Sequence, residues 1–179
     1  MNAFISQDQS HQFQYTDIIL TIKPEFTEPI RTQKKNHEYW KYLIQPTVTQ
    51  FWLYETEPVK KIRYIITIGP IQTPGQGSDA FDKGLKESKF GYPILALDQL
   101  NNPLNKKDMK CLIGLSPPLW YEYASAELLC RYPVNMMHWI FEKEMWSSTP
   151  SPYLWRHLKG RTINDHAIPK NNKKIISQP

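Results

Sequence analysis

Hydrophobic and polar residues alternate in several short segments of this chain, which is the pattern of strands with one buried face. The clearest case is Ile62–Ile68, where isoleucine or tyrosine stands at every second position. Further strands are predicted over Ile18–Lys23, Phe51–Tyr54, Tyr92–Leu100 and Trp120–Tyr123. The pattern therefore favours a domain built on a sheet.

Helical signals are short and lie between these strands. Pro24 opens a helix of one or two turns, because proline at the first helical position loses no hydrogen bond. Capping residues and apolar spacing predict four more helices: Ser78 towards Lys86, Asn105–Leu112, one beginning after Ser125, and Asn135–Trp146. The chain is therefore expected to combine short strands with short helices.

Charge is ordered in the segment that follows the first strand. Glu25 and Glu28 come early in the predicted helix and Arg31 comes late, as the helix dipole favours. A lysine-rich turn follows, and the next strand contains Glu38. This arrangement predicts a platform that presents a cation beside a carboxylate.

The same segment resembles a known family. LTIKPEF followed by KKNHEYWKY is similar to the opening of ASCH domains, a branch of the PUA-like β-barrel superfamily. Their pattern is a strand ending in a Lys-Pro-like step, a helix, and Gly-x-Lys-x-x-Glu-x-Arg. Lys35 and Glu38 fall on its Lys and Glu, while Gln33 and Trp40 stand at its Gly and Arg positions. The runs GQGSDAFDKGLKESKFGYPILALDQL and PPLWYEY resemble PUA-like proteins common in fungi, so the likeness extends over roughly Asp17–Tyr123.

The resemblance implies a fold and a place for the functional site. The expected fold is α+β, a small mixed β-barrel with peripheral helices and a C-terminal helical extension. The expected site is a cleft beside Lys35 and Glu38, bordered by Lys23, that binds RNA or a nucleotide within it. Lys23 and Lys35 would contact phosphate, and Glu38 would accept a hydrogen bond from a base edge.

Aromatic residues add a stacking surface to this hypothesis. Trp40 removes the bidentate cation of the family pattern but offers a flat ring on which a base can stack. The candidates for an aromatic wall are Trp40, Trp52, Tyr54, Phe90, Tyr92 and Trp120. Trp40 and Trp120 are the two expected to stack, and most of the others are expected in the core.

The loop Gly75-Gln76-Gly77 precedes one of the predicted helices. Backbone N–H groups at a helix start can receive an anion, so Gly75 and Gly77 are candidate phosphate or sugar contacts. The alternative is a flexible connection without a ligand.

Composition suggests three segments and places the excess charge. Residues 1–16 are rich in glutamine and predicted to be flexible, residues 17–146 form the domain, and residues 147–179 form a Pro-containing linker and a basic tail. The net charge is +5. Up to Trp155 there are 16 basic and 16 acidic residues, so the excess lies in the last 24 residues, and the tail could attract phosphates without sequence preference.

Two other functions remain open. One is a hydrolase of a modified nucleoside or RNA, with Lys35 as nucleophile or base and Glu38 as proton carrier. The other is a non-catalytic scaffold subunit that meets a protein partner through the Asn135–Trp146 helix and the C-terminal tail.

Other classes of site have little support in the sequence. Cys111 and Cys130 form no zinc-binding motif and are expected to be buried thiols, so no metal or cofactor is expected. No apolar run is long enough to span a bilayer and no signal peptide is evident, which predicts an intracellular protein, nuclear or cytoplasmic.

Overall fold

The computed structural model describes residues 16–75, 81–85 and 87–143. Seven strands lie in these ranges: β1 (Asp17–Ile22), β2 (His37–Trp40), β3 (Gln50–Glu55), β4 (Lys61–Ile68), β5 (Phe90–Asn105), β6 (Tyr121–Tyr123) and β7 (His138–Glu142). Three α-helices and one 3₁₀ helix accompany them: α1 (Pro24–Arg31), α2 (Lys106–Ile113), α3 (Ala126–Arg131) and Val134–Met136.

The strands form one curled mixed sheet in the order β2-β5-β4-β3-β1-β6, and β7 also pairs with β5. β1 is parallel to β3, and every other pairing is antiparallel. The sheet curls into a half-barrel with a few helices, so the predicted α+β fold of a small mixed barrel is confirmed.

Both faces of the curled sheet are covered. Alternate residues of β3 divide between two clusters, so Phe51 and Leu53 pack on one side and Trp52 and Tyr54 on the other. The first cluster also contains Ile30 of α1, and the second contains residues of α2 and α3. The sheet is therefore a central layer between two small cores, and α1 belongs to the same side as β2.

The strand β5 is longer than the sequence predicts. The predicted strand ends at Leu100, but β5 continues through Asn101, Asn102 and Pro103 to Asn105. Gln99 pairs with Tyr64 and Leu104 with Ile62, so the intervening residues form a bulge. A bulge accepts the proline because it is not part of the regular ladder.

The helix predicted over Asn135–Trp146 is wrong in its described part. His138–Glu142 form β7, which pairs with β5, and only Val134–Met136 are helical, as a 3₁₀ turn. Aromatic and β-branched residues fit a sheet, and the unpaired edge of β5 supplies the hydrogen bonds. The expected C-terminal helix is thus an additional strand, and Trp146 lies outside the described residues.

Two smaller expectations also change. Of the helix predicted from Ser78, residues Phe81–Leu85 are described, and Phe81–Gly84 form a turn in which Gly84 has φ +67°. Cys111 and Cys130 are both exposed rather than buried. Residues 1–15 and 144–179 lie outside the described residues, so the flexible segment, linker and basic tail remain predictions.

Candidate functional site

The end of α1 sets the position of Lys35. Thr27 and Ile30 bury one face of the helix, and the chain then turns through Gln33, whose φ is +58°. Glycine adopts this left-handed conformation most easily, which gives a physical reason for the family's Gly at this position. The backbone N–H of Lys35 donates to the carbonyl of Pro29 at 2.9 Å and closes the turn.

Lys35 and Glu38 form an ion pair that is largely shielded from water. Lys35 Nζ lies 2.5 Å from Glu38 Oε2, and their side chains are only 20% and 12% exposed. The ring of Phe26, on α1, lies 4.9 Å from the same Nζ atom and contributes a cation–π contact. The motif therefore brings together the cation and carboxylate that the sequence predicts.

Burial raises the pKa of the Glu38 carboxyl above its usual value. The charge of Lys35, its hydrogen bond and the backbone N–H of Tyr39 lower this pKa, but they offset only part of the effect of burial. Glu38 thus holds a proton more readily than an exposed glutamate, while it stays in contact with an amine.

This pKa shift predicts a pH dependence. Because the folded-state pKa is raised, ionisation of Glu38 opposes folding, so stability falls as pH rises from below about 4.5 through the folded pKa. The free energy of unfolding of wild type, measured relative to Glu38→Gln by urea denaturation, should therefore fall across this window. Glu28 is the matched control, because its hydrogen bond to Arg31 lowers its pKa. The stability of wild type relative to Glu28→Gln should therefore rise with pH below about 4.5 and stay level above it. A wild-type curve parallel to that of Glu38→Gln would contradict the assignment.

Trp40 shares a strand face with Glu38. Alternate residues of a strand point to the same side. Trp40 is half-buried and packs against a core cluster that contains Tyr92. Tyr92, in β5, is the residue that pairs with Glu38. Its ring meets that of Tyr121 edge to face, with centroids 6.2 Å apart. Among the described residues no acceptor pairs with Trp40 Nε1, so packing fixes the indole. A shielded ion pair and an aromatic ring therefore occupy one side of β2.

The opposite face of β2 carries His37 and Tyr39, which contact other parts of the chain. His37 stacks on Tyr39, and its Nε2 lies 3.0 Å from Gln72 Oε1. The loop leading to Gly75 therefore contacts β2 on the side away from Glu38. Gly75 itself is exposed with φ +101°, and Gly77 lies outside the described residues. The described part of this loop does not bring Gly75 to the ion pair.

Lys23 and Trp120 are exposed rather than part of the ion-pair cluster. Lys23 precedes α1, and its amine lies 3.8 Å from a Glu25 carboxylate oxygen, with both side chains mostly in solvent. Trp120 packs on Tyr42, not on Trp40, with ring centroids 6.3 Å apart. Three of the other aromatic candidates are core residues: Trp52, Tyr54 and Tyr92.

Sequence reasoning missed an inner charge cluster beneath α1. Glu55 is fully buried and accepts hydrogen bonds from Arg63 and from Thr27 Oγ1, the latter at 2.5 Å. The cluster ties α1 to β3 and β4. Glu55 and Arg63 lie on either side of the β3–β4 turn, but the register pairs Glu55 with Lys61, so hairpin spacing alone would not have paired Glu55 with Arg63. Sequence reasoning also missed the contact of the Phe26 ring with Lys35 and that of the Tyr121 ring with Trp40.

A separate cleft of about 440 Å³ lies between β5 and the α3 region. It is lined by Leu100, Asn101, Asn102, Cys130, Arg131, Tyr132, Pro133, Met136 and Met137. Its charged residue, Arg131, pairs with Glu127 in solvent. Because this cleft lacks a shielded ion pair, the Lys35–Glu38 region is the stronger candidate for chemistry. In the described ranges no group of three or more His, Cys, Asp or Glu could hold a metal ion, and no helix could cross a membrane.

Comparison with solved structures identifies the architecture. The ASCH protein from Zymomonas mobilis superposes with a TM-score of 0.53 at 18% identity, covering 73% of this chain and 99% of that one. A mutant form of it gives 0.52 at 15% identity, with 66% and 94% covered. The chain has an ASCH-like fold.

At this level of identity the likeness concerns the fold alone. No family model and no curated protein matches the sequence. The finer likeness to fungal PUA-like proteins remains a prediction. Within the ASCH-like fold, Lys35 and Glu38 are the motif residues that the structure pairs, and Trp40 is the departure that lies beside them.

Proposed function

We propose that this protein binds RNA, or a nucleotide within it, at the cluster of Lys35, Glu38 and Trp40. The observation that carries the proposal is the ion pair, 2.5 Å long and mostly shielded from water, on the same strand face as a half-buried tryptophan. A carboxylate and an amine in such surroundings interact more strongly with a polar ligand than they would in water.

Each of the three residues has a distinct role in the proposal. Lys35 contacts a phosphate or ribose oxygen, Glu38 accepts a hydrogen bond from a base edge, and Trp40 offers a ring for stacking. Lys23, whose amine is exposed, adds a phosphate contact. The lysine-rich tail adds attraction without sequence preference.

Lysine substitutions test this proposal directly. In the full chain, Lys35→Ala should weaken binding to a labelled single-stranded RNA about tenfold and reduce the salt slope of log K by about 0.7, the loss of one phosphate contact. Lys34→Ala is the matched control, since Lys34 is adjacent but exposed, and should stay within about twofold of wild type. Fluorescence anisotropy across a salt series measures both quantities.

Trp40→Ala completes the test, because it removes the ring and leaves the ion pair in place. It should weaken RNA binding with little change in the salt slope. The proposal is abandoned if both Lys35→Ala and Trp40→Ala bind RNA as wild type does.

A hydrolase acting on a modified nucleoside is the second candidate. The raised pKa of Glu38, beside the Lys35 amine, favours it because a proton carrier in contact with a nucleophile or base suits such chemistry. Trp40, at the Arg position of the family pattern, favours binding instead. Product release from a panel of modified nucleosides, present in wild type and lost in Glu38→Gln, would decide for the enzyme.

A further inference from the structure

Four large apolar residues are exposed in the two chain segments that meet at the Tyr42–Trp120 ring contact. Tyr42 is 57% exposed, Leu43 58%, Leu119 91% and Trp120 64%. The rings of Tyr42 and Trp120 meet edge to face, with centroids 6.3 Å apart and planes at 85°. We call this ring pair the aromatic shelf. An exposed apolar cluster of this kind marks an interaction surface.

The shelf is held in place by the sheet. The backbone N–H of Thr21, in β1, donates to the Trp120 carbonyl at 3.1 Å, and Thr21 Oγ1 donates to the Pro118 carbonyl at 2.5 Å. Pro117 and Pro118 restrict the backbone of the same segment. A ligand that stacks on Trp120 therefore meets a segment that is already ordered, which lowers the entropy cost of binding.

The shelf lies on the same two chain segments as the ring pair of Trp40 and Tyr121. Trp40 contacts Tyr121, and two residues further along the chain Tyr42 contacts Trp120, so the same two segments supply both ring pairs. The inner pair is half-buried beside Glu38, and the outer pair faces solvent. A ligand that contacts Trp40 and follows these segments reaches the shelf next.

We propose that the aromatic shelf binds a second base, next to the one held at Trp40, so that the ligand is single-stranded RNA of at least two nucleotides. This inference rests on the proposed function. The rings of the shelf are exposed, and the exposed Lys23 lies two residues after Thr21, whose backbone N–H anchors Trp120. Stacking platforms beside cations are what single-strand binders use, whereas paired bases are not free to stack on side chains.

Trp120 variants of the full chain test the second subsite. A labelled single-stranded RNA octamer and an unlabelled mononucleotide competitor are the two probes. Trp120→Ala should weaken octamer binding about 5- to 150-fold and leave mononucleotide binding within about twofold. Trp120→Phe should retain most of the octamer affinity because it keeps a ring face, and Trp120→Leu should not.

The outcomes with the Trp120 and Trp40 variants distinguish the second subsite from its alternatives. The inference is overturned, with the cleft intact, if Trp120→Ala binds the octamer as wild type does while Trp40→Ala loses it. It is also overturned if Trp120→Leu binds normally, since the patch would then be a general apolar surface suited to a protein. Loss of mononucleotide binding in Trp120→Ala would show that the shelf is no separate subsite. If wild type binds neither probe, the proposed function fails and the second subsite fails with it.

Discussion

Replacing Arg63 with alanine is expected to lower the free energy of unfolding by about 3 kcal/mol. Glu55 is fully buried, and it accepts hydrogen bonds from Arg63 Nη2 at 2.7 Å and from Arg63 Nε. Without the guanidinium, this carboxylate would remain buried with only Thr27 Oγ1 as a described side-chain donor. The figure is at the lower end of the range for buried pairs because Arg63 is itself about one-third exposed.

Arg31→Ala is the matched control for this prediction. Arg31 also makes two hydrogen bonds to one glutamate, Glu28, but that pair lies in solvent, so Arg31→Ala should lower the free energy of unfolding far less than Arg63→Ala does. Urea denaturation of both variants measures the difference. Equal losses would show that burial of Glu55 does not set the cost. A large loss for Arg63→Ala would also identify the charge cluster as the anchor of α1, and hence of the turn that carries Lys35.

Trp52→Ala is expected to cost about 4 kcal/mol of stability. Trp52 lies in the middle of β3 with no exposed surface, and its Nε1 donates to Asp17 Oδ2 at 3.0 Å. The substitution leaves a large cavity and removes a donor from a buried carboxylate, which still accepts from Thr16 Oγ1 at 2.6 Å. Chemical denaturation followed by circular dichroism gives the loss directly.

Two further variants separate the contributions at Trp52. Trp52→Phe keeps much of the ring volume but lacks the N–H group, so it should cost about 1–2 kcal/mol. Trp120→Ala removes the same side chain from an exposed position and should change stability by less than about 0.5 kcal/mol. A loss at Trp120 as large as that at Trp52 would contradict the assignment of buried and exposed tryptophans.

Much of the sheet could be predicted from the sequence because its strands carry alternating patterns or short apolar runs. Ile62–Ile68 alternates clearly, and the structure places it as β4, in the interior of the sheet. β7 could not be predicted from the sequence. Its sequence fits a helix in isolation, and only the free edge of β5, more than thirty residues away in the chain, selects the strand. That information lies in the tertiary structure rather than in local propensity.

The candidate site, like the sheet, could be predicted from the sequence only in part. The spacing of Lys35 and Glu38, read through the family resemblance, indicated a cation beside a carboxylate, and the turn at Gln33 brings them together. Arg63 could not be placed with Glu55 from a regular hairpin register. A bulge shifts the pairing between Leu53 and Tyr54, and such a shift re-aims a side chain in a way that no local pattern records.

The hydrogen bonds between Thr21 and the segment at Pro118 span 97 residues of chain. On a ribosome, which adds about 5–20 residues per second, β1 would be complete roughly 5 to 20 s before the segment that covers its second edge. During that interval the nascent chain presents an open strand edge, which is a template for unwanted pairing. The pairing of β1 with β6, and with it the aromatic shelf, is therefore expected to form late in folding.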